Sequence, residues 1–342
     1  MNLIQLSSVS FNSLRDIIFA LIGLLGLSLA GQLVAAPWTP DQSTQFIVAA
    51  GPGGALDAVA RSTKQFIDQK GDSKNSVIIL NKPGANGKIT FDILKQNQGN
   101  PNYLSINTHG YISSYLIGSL DILPNRDLTT IAVLQDEYLT LAVRADSPLK
   151  DVSDVVAALK KDPTSLRIAV ATSIGNHIHI GTAKALKAAG VDIRKLVVVP
   201  FRSSSDSIVA LIGGQLELVA STTPNVISML RAGKIRLLAV SSEKRLGGDF
   251  ANVPTWRESG VDSVFSSALG ILAPKGITQE QIVYWENILE QMVQSKQWER
   301  LMEVNQSRSH FMRHKEATTY YDQEYNSVRS IVSELGLLAP GR

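Results

Sequence analysis

Short apolar runs alternate with amphipathic stretches along almost the whole chain after residue 40. The runs in the first part, each typical of a buried strand, lie at 46–50, 77–80, 103–107, 131–134 and 139–144. Between the first three runs, apolar residues recur with the helical period and predict helices at 56–68 and about 89–95. Because strands separated by helices of this length are joined by crossover connections, the pattern predicts parallel, doubly wound α/β sheets.

The same alternation starts again after Pro148, which interrupts it. The strands predicted in this second part lie at 167–171, 196–199, 216–220 and 235–240. The helices predicted there lie at 152–160, 180–189, 206–212 and 226–232. A second round of strands and helices after a break predicts a second α/β domain.

A single late strand, at 269–273, is followed only by helices, at 279–295 and about 317–335. We infer that the chain returns to complete its first domain, with crossings near 141–144 and near 267–272. The expected lobes are 37–144 together with 267–342, and 145–266. Two crossing strands form a hinge, and a hinge between two α/β lobes creates a cleft.

Composition narrows the classes of function that fit this architecture. A length of 342 residues is typical of about two domains, and 44% hydrophobic residues allow each domain its own core. A net charge of +3 with 18% charged residues argues against nucleic acid as the partner. The sequence contains no cysteine, which excludes disulfides, thiolate catalysis and the lipid-accepting cysteine of a bacterial lipoprotein.

The N-terminal segment has the outline of a secretory signal peptide, predicted at 1–36. Residues 17–36 carry no charge and are rich in Leu, Ile, Ala and Gly. Cleavage after Ala36 is hindered by the following Pro37, and Ala30 is the other candidate position. The alternative is an uncleaved anchor, because the run approaches the roughly 20 residues that span a bilayer. Either interpretation places the folded part outside the cytoplasmic membrane.

Four polar or glycine-rich loops follow predicted strands and precede predicted helices. They lie at 51–57 (GPGGALD), 81–87 (NKPGANG), 173–179 (SIGNHIH) and 200–206 (PFRSSSD). Glycines let a ligand approach the backbone, and the free N–H groups of a helix start favour an anion. Neither glycine loop has the Walker or the GxGxxG spacing, so dinucleotide binding is not indicated. The alternative for the first loop is a plain turn, with Asp57 in the first helical turn.

The two loops of the second part allow several chemistries. His177 and His179 are spaced for a zinc site but have no third ligand nearby in sequence, so the alternative is that one orients the loop and the other faces solvent. In the loop at 200–206, three hydroxyls and Arg202 suit a carboxylate, or Ser205 or Asp206 simply caps the next helix. A secreted hydrolase is disfavoured, because no GxSxG motif is present.

Several motifs occur together in the order found in one family. The chain resembles the Bug family of extracytoplasmic solute receptors, the binding subunits of tripartite tricarboxylate transporters. The segments that carry the resemblance are PGG-x-x-D at 52–57, NKPGA-x-G at 81–87, His179 with AAGV at 188–191, PFR at 200–202, LIGGQLE at 211–217, AGKIRLLAV at 232–240, VPTWRESG at 253–260 and GILAPKG at 270–276.

The resemblance implies a type II periplasmic-binding-protein fold with two doubly wound lobes joined by two crossing strands. It further implies a non-catalytic periplasmic receptor, without a lipid anchor, that captures a small organic carboxylate and delivers it to the membrane subunits of a transporter. We expect no cofactor, no metal, no nucleic acid and a monomer. A receptor of the same fold that presents its ligand to a sensor kinase is the alternative.

Carried over position by position, the resemblance implies ligand contacts in both lobes. Those of the first lobe are Gly53, Gly54, Ala55, Asp57, Gly84, Ala85 and Asn86. Those of the second lobe are Thr172, Ser173, Gly175, His179, Arg202, Ser203, Ser204 and Ser205. The chain departs from the family at Ala55 and Leu56, where glycine and a hydroxyl residue are usual, and at Ser203 and Ser204, which replace two glycines. Asn176 and His177 also replace small residues, so the pocket differs in size and polarity.

Overall fold

The alternating pattern folds into helices packed on sheets whose strands share one long central strand. The computed structural model describes residues 38–52, 55–69 and 76–342, so the predicted leader at 1–36 and the predicted contacts Gly53 and Gly54 lie outside the described residues. Residues 39–342 form one compact unit, to which the following account refers. Across the described ranges, none of the helices combines the length and apolarity needed to cross a bilayer.

The described strands, in chain order, are β1 Thr44–Val48, β2 Val77–Asn81, β3 Tyr103–Thr108, β4 Thr129–Arg144, β5 Arg167–Ala171, β6 Val197–Phe201, β7 Leu218–Thr222, β8 Ile235–Val240, β9 Ser266–Ala273 and β10 Arg308–Arg313. The described α-helices are α1 Ala55–Gln69, α2 Lys88–Gln96, α3 His109–Leu116, α4 Pro124–Asp127, α5 Val152–Lys161, α6 His177–Ala188, α7 Ser204–Ile212, α8 Thr223–Arg231, α9 Gln279–Val293, α10 Lys296–Asn305 and α11 His314–Glu334.

Side-chain caps and apolar faces explain where these helices begin and what they cover. Thr278 and Gln281 form a reciprocal capping box at the start of α9. Asp151 accepts hydrogen bonds from two backbone N–H groups of α5. In α1, Val59, Thr63 and Ile67 recur at helical spacing and are buried against the sheet, as the sequence pattern predicts.

The strands form two halves of one mixed sheet, each built around three parallel strands. In the first half the order is β2-β1-β3-β9-β4-β10, and β1, β2 and β3 are parallel. In the second half β7, β5 and β6 are parallel, and β4 lies between β7 and β8. The predicted parallel pairing is confirmed within β1–β3 and within β5–β7, whereas β4, β8 and β9 form antiparallel pairs, as does β10, which the sequence did not predict. Strand β9 is antiparallel to β3, because the chain enters the first half from the end at which β3 finishes.

Strand β4 belongs to both halves. Its residues up to Tyr138 pair with β9, and from Leu139 onward its residues pair with β7, while β8 pairs along the same segment. The sequence predicted two strands here, at 131–134 and 139–144, which is wrong: one strand of 16 residues runs through, with every residue except Arg144 buried. The polar residues between the two apolar runs conceal this continuity. The lobe boundaries near 144 and 267 stay a prediction.

Several elements were absent from the sequence pattern. Helix α3 was missed because its buried face includes His109, Ser113 and Tyr111 as well as aliphatic residues. Strand β10 was missed because its sequence, RSHFMR, carries two arginines and a histidine. The core beneath α9 and α10 contains Trp285 and Trp298, and the indole N–H of Trp285 donates to the carbonyl oxygen of Pro101 over 2.9 Å.

Candidate functional site

The carboxyl ends of the parallel strands from both halves point to the same stretch of β4. At the end of β3, Thr108 pairs with Leu269, which in turn pairs with Gln135 of β4. At the end of β7, Thr222 pairs with Leu139, four residues further along β4. Because β1, β2 and β3 are parallel, and so are β5, β6 and β7, the loops that follow these strands all lie on the two sides of this stretch. Ligands of open α/β sheets bind at such carboxyl ends.

The start of α1 is fixed by Asp57, whose side chain is only 1% exposed. Its Oδ2 lies 2.6 Å from Nε of Arg61, and its Oδ1 accepts a hydrogen bond from Nδ2 of Asn81 over 2.9 Å. The same amide nitrogen of Asn81 donates to the carbonyl oxygen of Ala50 over 3.0 Å. The carboxylate therefore connects α1 to β2 and, through Asn81, to the chain just after β1. A direct contact of Asp57 or Ala55 with ligand stays a prediction.

The second loop of the first half lies against α3. Gly84 is exposed, and Asn86 and Gly87 have φ angles of +54° and +91°. A Cβ atom on Gly87 would come within 2.9 Å of the ring of Tyr111, so only glycine fits this contact. Ala85 lies in the 3₁₀ turn of this loop, and its side chain is outside the described part. Helix α3 thus supports the predicted contacts of this loop from below.

The loop between β5 and α6 holds Thr172 in the left-handed region, with φ +69°. A β-branched residue there is strained by roughly 1 to 3 kcal/mol, a feature that is common at ligand sites. Its N–H donates to the carbonyl oxygen of Phe201 over 2.7 Å, and its hydroxyl accepts from Nδ2 of Asn176 over 3.0 Å. Asn176 also caps α6, since its Oδ1 accepts from the N–H of His179. Thr172 is exposed and Ser173 is half-buried at the edge of this loop.

His179 orients this loop, as one of the two sequence interpretations expects. Its Nδ1 accepts a hydrogen bond from the N–H of Gly175 over 2.9 Å, and burial lowers its pKa to about 4. The ring lines a cavity of about 150 Å³ together with Ile174, Ile193 and Leu337. His179 therefore holds its own loop beside a cavity that the C-terminal segment also lines, and a ligand contact of this residue stays a prediction.

The expectation that the other histidine faces solvent is wrong. His177 is half-buried, and its Nε2 is buried without a hydrogen-bond partner among the described residues. Desolvation of the ring lowers its pKa to about 3. The reason is that α3, which the sequence pattern did not reveal, packs against the start of α6 and covers this ring. Within the ranges that the structure describes, no group of three or more metal-binding side chains comes together.

The loop before α7 presents a cation and hydroxyl groups. Ser203 caps the helix by accepting a hydrogen bond from the N–H of Asp206 over 3.1 Å, so the cap is neither Ser205 nor Asp206. Ser204 is half-buried and Ser205 is exposed. Arg202 is exposed and forms no ion pair among the described residues. This loop can therefore offer a positive charge and backbone N–H groups to an anion.

The sequence analysis did not identify the polar residues of β4 as part of the candidate site. These residues lie between the loops of the first half of the sheet and the loops of the second half. Gln135 and Glu137 are buried, and Ser267 pairs with Glu137 from β9. Burial raises the pKa of Glu137 to about 7, and a hydrogen bond with the side chain of Thr222 opposes this shift. The Oε1 of Gln135 and the Oγ of Ser267 have no partner in the described part of the chain. The three consecutive polar residues at 135–137 were the available signal, but such a run in a sequence is typical of a loop.

Comparison with known proteins gives a family match over most of the chain. The family model described as "Tripartite tricarboxylate transporter family receptor" matches residues 59–337. Protein BugT of Bordetella pertussis is 27% identical over 288 residues, which cover 81% of this chain and 85% of BugT.

Solved structures are similar over nearly the whole described chain. A protein of R. palustris solved with adipate has a TM-score of 0.75 and 22% identity, covering 87% of this chain and 98% of that one. MatC from Rhodopseudomonas palustris with bound malate has a TM-score of 0.68 and 20% identity, covering 88% of this chain and 100% of MatC. These similarities confirm the predicted two-lobe fold of periplasmic binding proteins.

Proposed function

The chain belongs to the receptor family of the tripartite tricarboxylate transporters, and on this premise we propose that it captures a small organic carboxylate between its two lobes and delivers it to the membrane subunits of such a transporter. Members of this family are periplasmic solute-binding receptors and not enzymes. The proposed lobes are 37–144 with 267–342, and 145–266, and export is proposed to depend on the leader at 1–36.

One observation carries the proposal: helix starts from both halves of the sheet converge on the middle of β4. Helices α1, α2 and α3 start after the strands of the first half, and α6, α7 and α8 start after those of the second. Helix starts provide unpaired N–H groups and a partial positive charge, which favour an anion. A carboxylate held from both sides would stabilise the closed arrangement of the lobes.

Arg202 supplies the charge that distinguishes this site from a neutral cleft. Arg202 is exposed, directly precedes the hydroxyl residues 203–205 in the chain, and forms no ion pair among the described residues. A bidentate bond between guanidinium and carboxylate is stronger than a neutral hydrogen bond. The overall charge of +3 is too small to attract anions over long distances, so local groups must hold the ligand.

Dicarboxylates are the first ligands to test. Adipate and malate, the compounds in two similar structures, each carry two carboxylates that could reach one lobe each. The cap formed by Ser203 uses the N–H of Asp206, which leaves fewer free N–H groups at the start of α7 than an uncapped helix would have. This chain should therefore select among carboxylates differently from relatives that carry glycines at these positions.

Binding is tested by isothermal titration calorimetry of the exported protein with mono-, di- and tricarboxylates. Arg202→Ala should weaken binding of the best ligand roughly ten- to one-hundred-fold, as expected for loss of a charged hydrogen bond. The control is Arg257→Ala, an exposed arginine of the same predicted lobe that pairs with Asp262, and it should leave the affinity unchanged. If no carboxylate binds, or if both variants bind like the wild type, the proposed ligand class or site is wrong.

Delivery needs a separate measurement in cells. Uptake of the best carboxylate should require the chain, and a strain that carries only Arg202→Ala should take up the ligand in proportion to its weaker binding. Binding without any dependence of uptake on the chain would favour a receptor that presents its ligand to a sensor.

A further inference from the structure

His109 and His177 meet where α3, at the carboxyl end of β3, packs against α6, at the carboxyl end of β5. A Cβ atom on Gly110, the residue after His109, would lie 3.1 Å from Nδ1 of His177. The ring of His109 stacks on Phe265 with 5.1 Å between centroids, and its Nδ1 lies 3.4 Å from the carbonyl oxygen of Ser266. The two imidazoles therefore lie at a contact between the two predicted lobes, beside the cleft.

Burial favours the neutral form of both rings over the protonated form. His109 is 1% exposed and His177 is half-buried, and the Nε2 atoms of both are buried. In the described part Nε2 of His177 has no hydrogen-bond partner, and Nε2 of His109 forms no hydrogen bond although Oε2 of Glu324 lies 3.4 Å away. Burial lowers the pKa of His109 to about 4 and that of His177 to about 3. A positive charge on His109 would lower the pKa of His177 further, so the two rings oppose each other's protonation.

The charged groups around the pair come from α6, α11 and β4. Lys184 of α6 lowers the pKa of His109. Glu324 of α11 has its Oε2 3.4 Å from Nε2 of His109, and burial raises the pKa of this carboxyl, as does Asp136 of β4. The phenol of Tyr320 lies on the same helix, and burial raises its pKa as well. Burial of the two rings outweighs the attraction of Glu324, so the closed contact favours neutral imidazoles.

We propose that His109 and His177 are positioning residues that hold the two lobes together as a neutral pair, and that protonation of either ring opens the cleft and releases the ligand. The release step rests on the proposed function, whereas the opening step does not. In an open cleft the rings would be hydrated, with ordinary pKa values near ~6.5. Below that pH the rings of the open form are protonated, and each must lose its proton before the lobes can close. The affinity for the ligand therefore falls as the pH decreases.

The expected effect can be measured as affinity against pH. Between pH 7.5 and pH 5.5 the affinity should fall about 10-fold if opening hydrates one ring and about 100-fold if it hydrates both. The probes are adipate and malate, titrated calorimetrically into the full exported chain. His177→Asn keeps a polar atom near the position of Nδ1 but cannot be protonated, so its affinity should lose most of this pH dependence. The control His314→Asn, at the start of α11, should keep the profile of the wild type.

A second readout does not require any ligand. Small-angle X-ray scattering should show a larger radius of gyration for the wild type at pH 5.5 than at pH 7.5, and no such increase for His177→Asn. If His177→Asn does not fold, the wild-type scattering together with His109→Asn makes the same comparison.

The outcomes separate this inference from the proposed function. Binding of adipate or malate with the same pH profile in the wild type and His177→Asn would overturn the histidine pair and leave the receptor function intact. An increase in radius of gyration that depends on His177, without carboxylate binding, would support the pair and contradict the ligand class. Scattering and affinity that do not change between the two pH values would overturn the pair outright.

Discussion

Asp57 illustrates how a residue within a ligand-binding motif can act on the loop instead of on the ligand. The sequence predicted a contact with the ligand or a place in the first helical turn, and the structure shows a buried carboxylate that accepts hydrogen bonds from Arg61 and Asn81. One of these donors, Asn81, also donates to the carbonyl oxygen of Ala50, two residues after β1, so the carboxylate holds the chain at the point where it leaves that strand. Loss of this residue should therefore affect stability more than binding chemistry.

Replacing Asp57 with Ala should lower the free energy of unfolding by about 2 kcal/mol, because the half-buried amide of Asn81 keeps only the carbonyl oxygen of Ala50 as an acceptor and Arg61 loses its partner. The matched control is Asp68→Ala in the same helix. Asp68 also forms an ion pair four residues from its partner, Lys64, but both side chains are exposed, so its loss should cost under about 0.5 kcal/mol. Urea denaturation of both variants makes the comparison, and equal losses would contradict the structural role of Asp57.

Helix α6 contains Gly181 at an interior position, where alanine normally makes a helix more stable than glycine does. Gly181 faces β4 and the segment before β9, and a Cβ atom there would lie 2.4 Å from Cδ1 of Leu139 and 2.7 Å from Cδ1 of Phe265. The close approach of helix and hinge strand therefore depends on the missing side chain. Because Leu139 is where β4 changes partners, this contact connects α6 directly to the hinge.

Gly181→Ala should destabilise the protein by about 1 to 3 kcal/mol, although alanine is favoured over glycine in a helix by roughly 1 kcal/mol. The control is Gly213→Ala at the end of α7, where φ is −72° and a Cβ atom would be no closer than 3.4 Å to its neighbours. That variant should change stability by less than about 0.5 kcal/mol. Thermal unfolding distinguishes them, and a stabilised Gly181→Ala would show that helix and hinge strand can separate without cost.

The sequence could predict those helices and strands whose buried residues are apolar and recur with the period of the element. Strand β5 and the start of α5 were predicted to the residue, because each is a clear apolar or amphipathic segment next to a cap or a turn. Helix α3 and strand β10 could not be found this way, since both bury polar groups whose partners come from distant parts of the chain. His109 of α3 and His310 of β10 contact Ser266 and Asp136, respectively, and no local pattern contains these pairings.

At the scale of the molecule, the loops of the candidate site were predictable and their supports were not. A glycine-rich or hydroxyl-rich loop between a strand and a helix is a local signal, so the four loops could be named from the sequence. Their supports, the amide of Asn81, the ring of Tyr111 and the covered imidazole of His177, depend on how the two halves share β4. The same sharing buries Glu137 in the middle of the hinge region, where its protonation is coupled to folding.

Glu137 should make the protein less stable as the pH rises, in contrast to the buried histidines. Its pKa is raised by burial from 4.5 to about 7, so the folded state keeps a proton that the unfolded state releases. The contribution of the neutral carboxyl is fully present below about pH 4.5 and is lost as the pH rises through 7, a change of about 3 kcal/mol. Glu137→Gln has no proton to lose, so its stability relative to the wild type should increase by about 2 to 3 kcal/mol between pH 5 and pH 9.

Urea denaturation at pH 5, 7 and 9 measures this difference, with Glu299→Gln on the exposed face of α10 as the control for removing a charge. A difference between Glu137→Gln and the wild type that stays constant over this range would mean that Glu137 is ionised in the folded protein, with a hydrated path from the cleft to the middle of β4.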